Sequence, residues 1–259
     1  MNCKNCNTEL HEHDDYCKKC GARVIRNRLT FKNIFEHISE TFFNYDNKLL
    51  RTFTDLIAKP EAVIGSYISG VRKRYVNPIS YLGIALTLSG VVFFVMKKIN
   101  LEVDVDVFNQ GMDETAKSNI ANASSEYASF FFLSYIPMLV IASWFMLRQK
   151  EYNFAERTVA FTYTMAEFSL VTFLPSILVM IIMPNAYMNY SFITLLVLAI
   201  YLTWLLYKIS GIRGIEFFAH LLIFFFCFAF LFFAFSIGLV ILGLLTGELN
   251  LQDFMPPPK

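Results

Sequence analysis

Charged residues are scarce in this chain. Asp, Glu, Lys and Arg make up 17% of its 259 residues, whereas a soluble domain of this size carries about a quarter. Apolar residues account for 56% of the chain, and 28 of them are Phe. The shortage of charge is uneven, because 13 of the 22 Lys and Arg residues precede Asn77 and long apolar runs follow it. We therefore expect a basic N-terminal region joined to a membrane-embedded body.

Several functional signatures are also missing. The first 29 residues have no apolar core of the kind that a secretory signal peptide needs, so we expect the N-terminus to stay in the cytosol. The sequence shows no Gly-rich phosphate loop, no Ser-His-Asp set and no kinase motif. It assigns no catalytic residue and no cofactor-binding residue beyond a metal site, and an enzyme is the less favoured interpretation.

Five apolar stretches are long enough to cross a bilayer as helices. A hydrocarbon core about 30 Å thick requires roughly 20 apolar residues. The predicted spans are residues 78–96, 127–147, 158–183, 192–207 and 217–245, of which the fourth is short. Pro137 and Pro175 lie inside the second and third spans, where each removes a helical hydrogen bond and predicts a kink. The sequence predicts an all-α polytopic membrane protein with about five transmembrane helices.

The distribution of basic residues predicts the orientation of the chain. With a cytosolic N-terminus, 18 of the 22 Lys and Arg residues lie on the inner side and four on the outer side. Basic residues concentrate on the cytoplasmic side of helical membrane proteins. We therefore expect a bacterial inner-membrane protein with its N-terminus in the cytosol and its C-terminus outside.

Four cysteines near the N-terminus predict a metal site. Cys3 and Cys6 form one Cys-x2-Cys pair, and Cys17 and Cys20 form another after ten intervening residues. Four thiolates in paired turns suit tetrahedral Zn²⁺, and cytosolic thiols stay reduced. Four protein ligands close the coordination sphere, so we expect a structural zinc ribbon rather than a catalytic zinc.

The residues around the cysteines refine this prediction. Asn7 and Gly21 follow the two pairs, and both residue types tolerate a left-handed turn that points backbone N–H groups at sulfur. His11 and His13 lie between the pairs as alternative ligands or as part of a solvated loop. Residues 1–21 carry a net charge of −1, which makes nucleic acid an unlikely partner.

Residues 28–77 are predicted to form short amphipathic helices that lie on the inner leaflet or pack under the bundle. Helical spacing of apolar residues begins at Phe31 and resumes at Leu49. Pro60 suits the first turn of a further helix, and Gly70 suits its C-terminal cap. The segment ends in a basic triplet, Arg72, Lys73 and Arg74, which serves as a positive-inside anchor or contacts anionic lipid headgroups.

This segment also carries a resemblance to a known family. Its pattern consists of Pro60, Val63, Ile64, Tyr67, Ile68, Gly70, Arg72, Tyr75 and Pro78. Behind a four-cysteine ribbon, the pattern resembles the uncharacterised bacterial family catalogued as domain of unknown function 3667. Asn153-Phe-Ala-Glu156 resembles a second landmark of that family, and the likeness extends over nearly the whole chain. Val71 and Asn7 depart from the residues usual there. The resemblance implies a ribbon and a membrane bundle, but no activity.

A few polar residues within the spans are candidate functional groups. Glu167 lies in the third span near Glu156 and Tyr163, and a charged residue there usually faces a neighbouring helix or a cavity. It is either a proton- or cation-handling group or a structural partner of another helix. Glu216 and His220 share a face of the fifth span, four residues apart. With Arg157 and Glu156 they are the groups that a lipid-acting enzyme would have to bring together.

These features predict four regions: a zinc ribbon over 1–27, juxtamembrane helices over 28–77, a membrane bundle over 78–247 and a Pro-rich tail over 248–259. The leading hypothesis is a non-enzymatic adaptor, sensor or regulator whose ribbon binds a protein partner, with membrane lipids around the bundle. The alternative is a small-solute or ion transporter that uses Glu167. A membrane-embedded enzyme acting on lipid is the third and least favoured hypothesis.

Overall fold

The protein is largely helical in the computed structural model, which describes residues 1–22, Val24, Thr30, 48–99 and 128–246. The chain divides into two units, Met1–Asn47 and Lys48–Lys259, and each is described by itself. In the first unit an isolated antiparallel bridge joins Asn2 and Glu9. The second unit is built of helices.

Seven helices are described in the second unit. They are α1 over residues 48–58, α2 Pro60–Ile68, α3 Pro78–Lys98, α4 Ala128–Ala142, α5 Phe154–Ile182, α6 Tyr187–Ser210 and α7 Gly214–Thr246. Four helical segments of the described chain are long and apolar enough to cross a membrane, namely Pro78–Lys98, Phe154–Ile182, Pro184–Ser210 and Gly214–Thr246. Their length and composition identify a helical membrane protein.

The ends of these helices follow local capping rules. The Asn77 side chain accepts a hydrogen bond from the Ser80 N–H, and Pro78 occupies the first helical position of α3. At the start of α5, Asn153 and Glu156 form a reciprocal capping box. A left-handed glycine, Gly211, ends α6.

Two helices begin earlier than their predicted spans. The third predicted span began at residue 158, but α5 begins four residues earlier because of its capping box. The fourth span was predicted as a short stretch over 192–207, whereas α6 has 24 residues and begins at Tyr187. Polar residues in its first turns lower the local hydropathy without ending the helix.

The second predicted span, 127–147, is the one that the structure supports least. Its helix, α4, has 15 described residues, about 22 Å of helix at 1.5 Å per residue. After Ala142 the chain continues as turns to Leu147. The number of five spans therefore stays a prediction. Pro137 and Pro175 both lie inside helices that continue past them, and the kinks also stay predictions.

Helix α5 lies at the centre of the second unit. It packs against α3, α4, α6 and α2, while α7 packs mainly against α4. Between Arg157 and Ser169 nearly every side chain of α5 is buried. The described core therefore surrounds the N-terminal half of α5, and the long apolar surfaces of α7 are exposed.

The segment between α2 and α3 is held by side chains from two helices. The Thr52 hydroxyl of α1 accepts a hydrogen bond from the Val76 N–H at 3.0 Å, and the Tyr163 hydroxyl of α5 donates to the Val76 carbonyl at 2.6 Å. Tyr75 donates to the Asp55 carboxylate at 2.8 Å. Burial and this acidic partner raise the pKa of Tyr75 above its usual value. The buried backbone here is thus satisfied by specific side chains.

The predicted amphipathic helices are only partly described. Val63 and Ile64 of α2 are buried, as the spacing predicts, but Leu50 and Ile57 of α1 are exposed. The predicted helical stretch that begins at Phe31 lies outside the described residues. The amphipathic character of residues 28–77 therefore stays a prediction.

We expect Thr52→Val to destabilise the second unit, because the buried Val76 N–H loses its acceptor. An unsatisfied buried donor costs about 1–3 kcal/mol of folding free energy. The matched control is Thr54→Val in the same helix, since Thr54 is exposed and its hydroxyl bonds only within α1. Thermal unfolding of the full chain in mild detergent measures both. Equal effects of the two substitutions would contradict the role given to Thr52.

Candidate functional site

The four N-terminal cysteines lie on two turns of the same geometry. In the first turn Cys3 N–H donates to the Thr8 carbonyl and Asn7 N–H donates to the Cys3 carbonyl, both at 2.8 Å. Cys17, Ala22 and Gly21 repeat this pattern fourteen residues later at the same distances. Asn7 and Gly21 have φ values of 57° and 70°, which confirms the predicted left-handed turns. Each pair of cysteines is therefore presented by its own local turn.

The two turns bring the four sulfur atoms together. Cys3 Sγ lies 3.6 Å from Cys20 Sγ, and Cys6 Sγ lies 3.5 Å from Cys17 Sγ. All four sulfurs lie within 4.8 Å of one another. A tetrahedral zinc with Zn–S bonds of about 2.3 Å requires sulfur atoms roughly 3.8 Å apart. The cluster therefore fits a single tetrahedral metal ion.

Hydrogen bonds favour the thiolate form, which binds metal, at two of the four cysteines. A hydrogen bond from the Asn5 side chain, together with the Ala22 backbone, lowers the pKa of the Cys20 thiol to about 6. Hydrogen bonds from Thr8 lower the pKa of Cys6, whereas burial raises the pKa of the Cys17 thiol.

His11 and His13 are exposed and lie outside the sulfur cluster. The four sulfur atoms thus converge without either histidine.

A small apolar cluster supports the sulfur atoms. Cys3, Leu10 and Cys17 are buried together, and Ala22 and Val24 pack against them. Residues 1–22 contain few other apolar side chains, so metal binding and folding of the ribbon are expected to be one event.

We expect the purified full chain to contain about one zinc ion per polypeptide, held by the four thiolates. The double substitution Cys3→Ser with Cys6→Ser removes two ligands and should abolish stoichiometric zinc. Cys227→Ser is the matched control, because Cys227 belongs to α7 and is not a member of the cluster. Elemental analysis after gel filtration in detergent measures the ratio. Zinc retained at full stoichiometry by the double variant would show that these cysteines are not the ligands.

A second polar cluster lies between α3 and α5. Glu167 is 1% exposed, and its Oε2 accepts a hydrogen bond from the Tyr81 hydroxyl of α3. Its Oε1 has no hydrogen-bond partner among the described residues. The ring of Tyr163 lies 6.1 Å from the rings of both Tyr81 and Tyr67. One carboxylate oxygen of Glu167 therefore has a hydrogen-bond partner, and the other has none among the described residues.

Further contacts define the depth of this cluster. The Ser89 and Ser169 hydroxyl groups lie 2.8 Å apart, and Ser169 also approaches the Ala85 carbonyl at 3.4 Å. These pairs set α3 and α5 side by side in parallel. Glu167 is consequently level with the first third of α3, near the end of the bundle where α3 begins, rather than with its middle.

The structure does not gather the other predicted polar residues around Glu167. The Glu156 carboxylate accepts a hydrogen bond from the Asn153 N–H, and the two glutamates are eleven positions apart on α5, about 16 Å along its axis. Glu216 is exposed, and His220 Nδ1 lies 2.9 Å from the Glu216 carbonyl of its own helix. The contacts of Glu156 and His220 are thus local.

The basic triplet before α3 lies against tyrosine rings. The Arg72 guanidinium lies 5.5 Å from the Tyr67 ring, and that of Arg74 lies 5.4 Å from the Tyr75 ring. All three basic residues, including Lys73, are exposed. Their contact with lipid headgroups stays a prediction.

Two residues of consequence were missed by sequence reasoning. Tyr81 was not singled out, because nothing in its neighbourhood distinguishes it from other tyrosines near a membrane surface. Trp144 was also missed, although its ring lies 4.9 Å from the Arg157 guanidinium. A signal for the second pair was present, since Arg157 is an arginine in the first turns of an apolar helix.

Comparison with known proteins found a match to a family model. No curated protein and no solved structure matches it. A family model described as "Protein of unknown function (DUF3667)" matches residues 46–90. That range contains the pattern from Pro60 to Pro78, and in the structure it covers α1, α2 and most of α3. The match confirms the resemblance of this chain to the DUF3667 family.

Proposed function

We propose that this protein is a non-enzymatic adaptor or sensor of the bacterial inner membrane, with a cytosolic zinc ribbon that binds a protein partner. The observation that carries the proposal is the set of four converging thiols on two paired turns. A metal with four protein ligands has no open position for a substrate. Such a site stabilises a small surface, and a small rigid surface is suited to recognition.

The proposed recognition surface consists of exposed residues next to the four cysteines. Lys4, Lys18 and Lys19 lie within the two Cys-x2-Cys turns and are exposed. The ring of Tyr16, directly before the second turn, is 56% exposed. Tyrosine is enriched at protein interfaces, and lysines steer acidic partners. The chemistry favours a protein partner that offers carboxylates to these lysines and an apolar contact to Tyr16.

Charge distribution and helix direction support the proposed placement in the membrane. A cytosolic ribbon requires the start of α3 to lie on the inner side, where Arg72, Lys73 and Arg74 precede it. Arg148 and Lys150, which precede α5, lie on the same side in this arrangement. The positive-inside tendency favours this orientation, with the C-terminus outside.

We expect a partner to bind the ribbon through its exposed lysines and not through the metal. The full-length parent protein and two double variants are purified in mild detergent. One variant carries Lys18→Glu and Lys19→Glu, and the other carries Cys3→Ser and Cys6→Ser. The lysine variant should keep about one zinc ion and lose the partner, whereas the cysteine variant should lose both. The control is Lys97→Glu with Lys98→Glu, two adjacent lysines at the end of α3.

The parent chain and the purified partner are then mixed, and the dissociation constant of their complex is measured by titration. Reversal of two contact charges should weaken binding by at least about tenfold, which corresponds to about 1.4 kcal/mol. A partner that binds the lysine and cysteine variants as tightly as the parent chain would rule out an adaptor function of the ribbon.

A second candidate function is transport of a proton, a cation or a small solute through the bundle. The unsatisfied, buried Oε1 of Glu167 favours it, because ionisable groups inside membrane bundles commonly mark ion pathways. An enzyme acting on lipid is not proposed, because Glu156 caps its own helix and His220 contacts a carbonyl of its own helix.

We expect Glu167→Gln to abolish flux if the bundle transports protons or cations. The matched control is Glu156→Gln, because glutamine also completes a capping box. Full-length protein and both variants are reconstituted into liposomes, and proton and potassium flux are followed with internal dyes. Liposomes that stay as tight as empty ones with the parent chain would exclude this candidate, while the ribbon proposal would be unaffected.

A further inference from the structure

An apolar groove opens between α4 and α7. Its volume is about 460 Å³, and its lining includes Trp144 and Phe145 from the turn after α4 and Phe226, Cys227, Phe230 and Leu231 from α7. This volume lies within the range of ligand-binding pockets, about 300–1,000 Å³. Phe226 and Phe230 are exposed large apolar side chains. The groove is therefore shaped for an apolar ligand that enters from the lipid side.

A buried arginine lies next to Trp144, one of the residues that line this groove. Arg157 is 5% exposed, and its guanidinium carbon lies 4.9 Å from the Trp144 ring. Its Nε donates to the Tyr152 carbonyl at 2.9 Å. Its Nη1 is buried and has no hydrogen-bond partner among the described residues. Leaving a charged donor unpaired in an apolar environment is costly, so this atom calls for an acceptor.

The contacts of α5 and α7 place the arginine on the headgroup side of the groove. The Phe224 ring of α7 stacks on Phe161 of α5, and the groove residues of α7 follow Phe224 toward the membrane interior. Arg157 precedes Phe161 by one helical turn in the opposite direction. Tyr163 marks the level at which α3 begins, because its hydroxyl bonds to the Val76 carbonyl just before that helix. Arg157 precedes Tyr163 on α5 and therefore lies on the headgroup side of the start of the spans.

We propose that this groove binds a membrane phospholipid, with an acyl chain between α4 and α7 and the phosphate hydrogen-bonded by Arg157. A guanidinium matches the oxygen geometry of a phosphate and forms strong charge-assisted hydrogen bonds with it. The Trp144 ring lies over the Arg157 guanidinium, and Trp144 is 58% exposed. Displacement of this indole toward the groove opens Nη1 to the phosphate and leaves the ring against the acyl chain.

Other basic residues favour an anionic headgroup. Arg148 and Lys150 are exposed in the connection that leads to α5. Lys150 lies over Gly211, where the chain passes from α6 to α7; its Cε is 3.1 Å from the position that a Cβ on this glycine would take. The headgroup end of the groove is thus bordered by positive charge on the α4–α5 connection. Such a site prefers phosphatidylglycerol to zwitterionic phosphatidylcholine.

Trp144 itself provides the reporter for a test. The chain has two Trp residues, so Trp204→Phe leaves Trp144 as the only one. The full chain with this substitution is reconstituted into phosphatidylcholine vesicles at about 0.15 M salt, where long-range surface attraction is screened. Acyl-brominated phosphatidylglycerol or acyl-brominated phosphatidylcholine is then added in steps, and quenching of Trp144 gives the relative binding constant of each lipid.

We expect phosphatidylglycerol to bind about five times more tightly than phosphatidylcholine, since one basic residue near anionic lipid contributes about 1 kcal/mol. Arg157→Gln should lower this ratio, with Arg148 and Lys150 keeping part of it, and Arg157→Lys should lower it less. Lys208→Gln is the matched control: Lys208 lies in the last turn of α6 and pairs with Glu61 at 3.7 Å. This variant should leave the ratio unchanged.

A variant in the groove tests the acyl-chain half of the proposal. Cys227→Phe adds a ring to the groove without touching Arg157, and it should reduce the quenching by both brominated lipids. Equal quenching by the two lipids in the parent protein would overturn the proposal. A preference that falls equally in Arg157→Gln and Lys208→Gln would also overturn it, because general surface charge would then explain the effect.

Discussion

The contact between α3 and α5 is the interaction on which the rest of the second unit depends. Inside a bilayer, lipid tails are as apolar as leucine side chains, so helices associate through close packing and hydrogen bonds. Here Tyr81 bonds to Glu167, and Ser89 bonds to Ser169. These hydrogen bonds fix both the rotation and the register of α5. The remaining helices then pack on a scaffold whose polar groups are already largely paired.

Residues 60–78, which carry the pattern that resembles the DUF3667 family, form part of that scaffold. Pro60 begins α2 and is buried, Val63 and Ile64 are fully buried, and Gly70 adopts a positive φ of 95° that ends the helix. Tyr75 bonds to Asp55. The pattern is therefore explained by packing, capping and hydrogen bonding beneath α5. It describes how the bundle is built at one end.

Sequence reasoning succeeded where the relevant physics is local. The cysteine ligands and the left-handed turns at Asn7 and Gly21 follow from residue types and short spacings, and hydropathy located the apolar helices. It failed for the partner of Glu167, because Tyr81 lies 86 positions away and no spacing rule links them. The start of α6 was misplaced because its polar first turns resemble a loop in hydropathy, although they are helical.

Two partly paired polar groups of α5 connect the candidate functions to the fold. Arg157 and Glu167 are ten residues apart on this helix, about 15 Å along its axis, so they cannot pair with each other. Arg157 Nε donates to the Tyr152 carbonyl, and Glu167 Oε2 accepts from the Tyr81 hydroxyl. Arg157 Nη1 and Glu167 Oε1 have no hydrogen-bond partner among the described residues. The proposed lipid phosphate would pair with the arginine, and the burial of Glu167 favours a proton or a cation as the partner of its free oxygen.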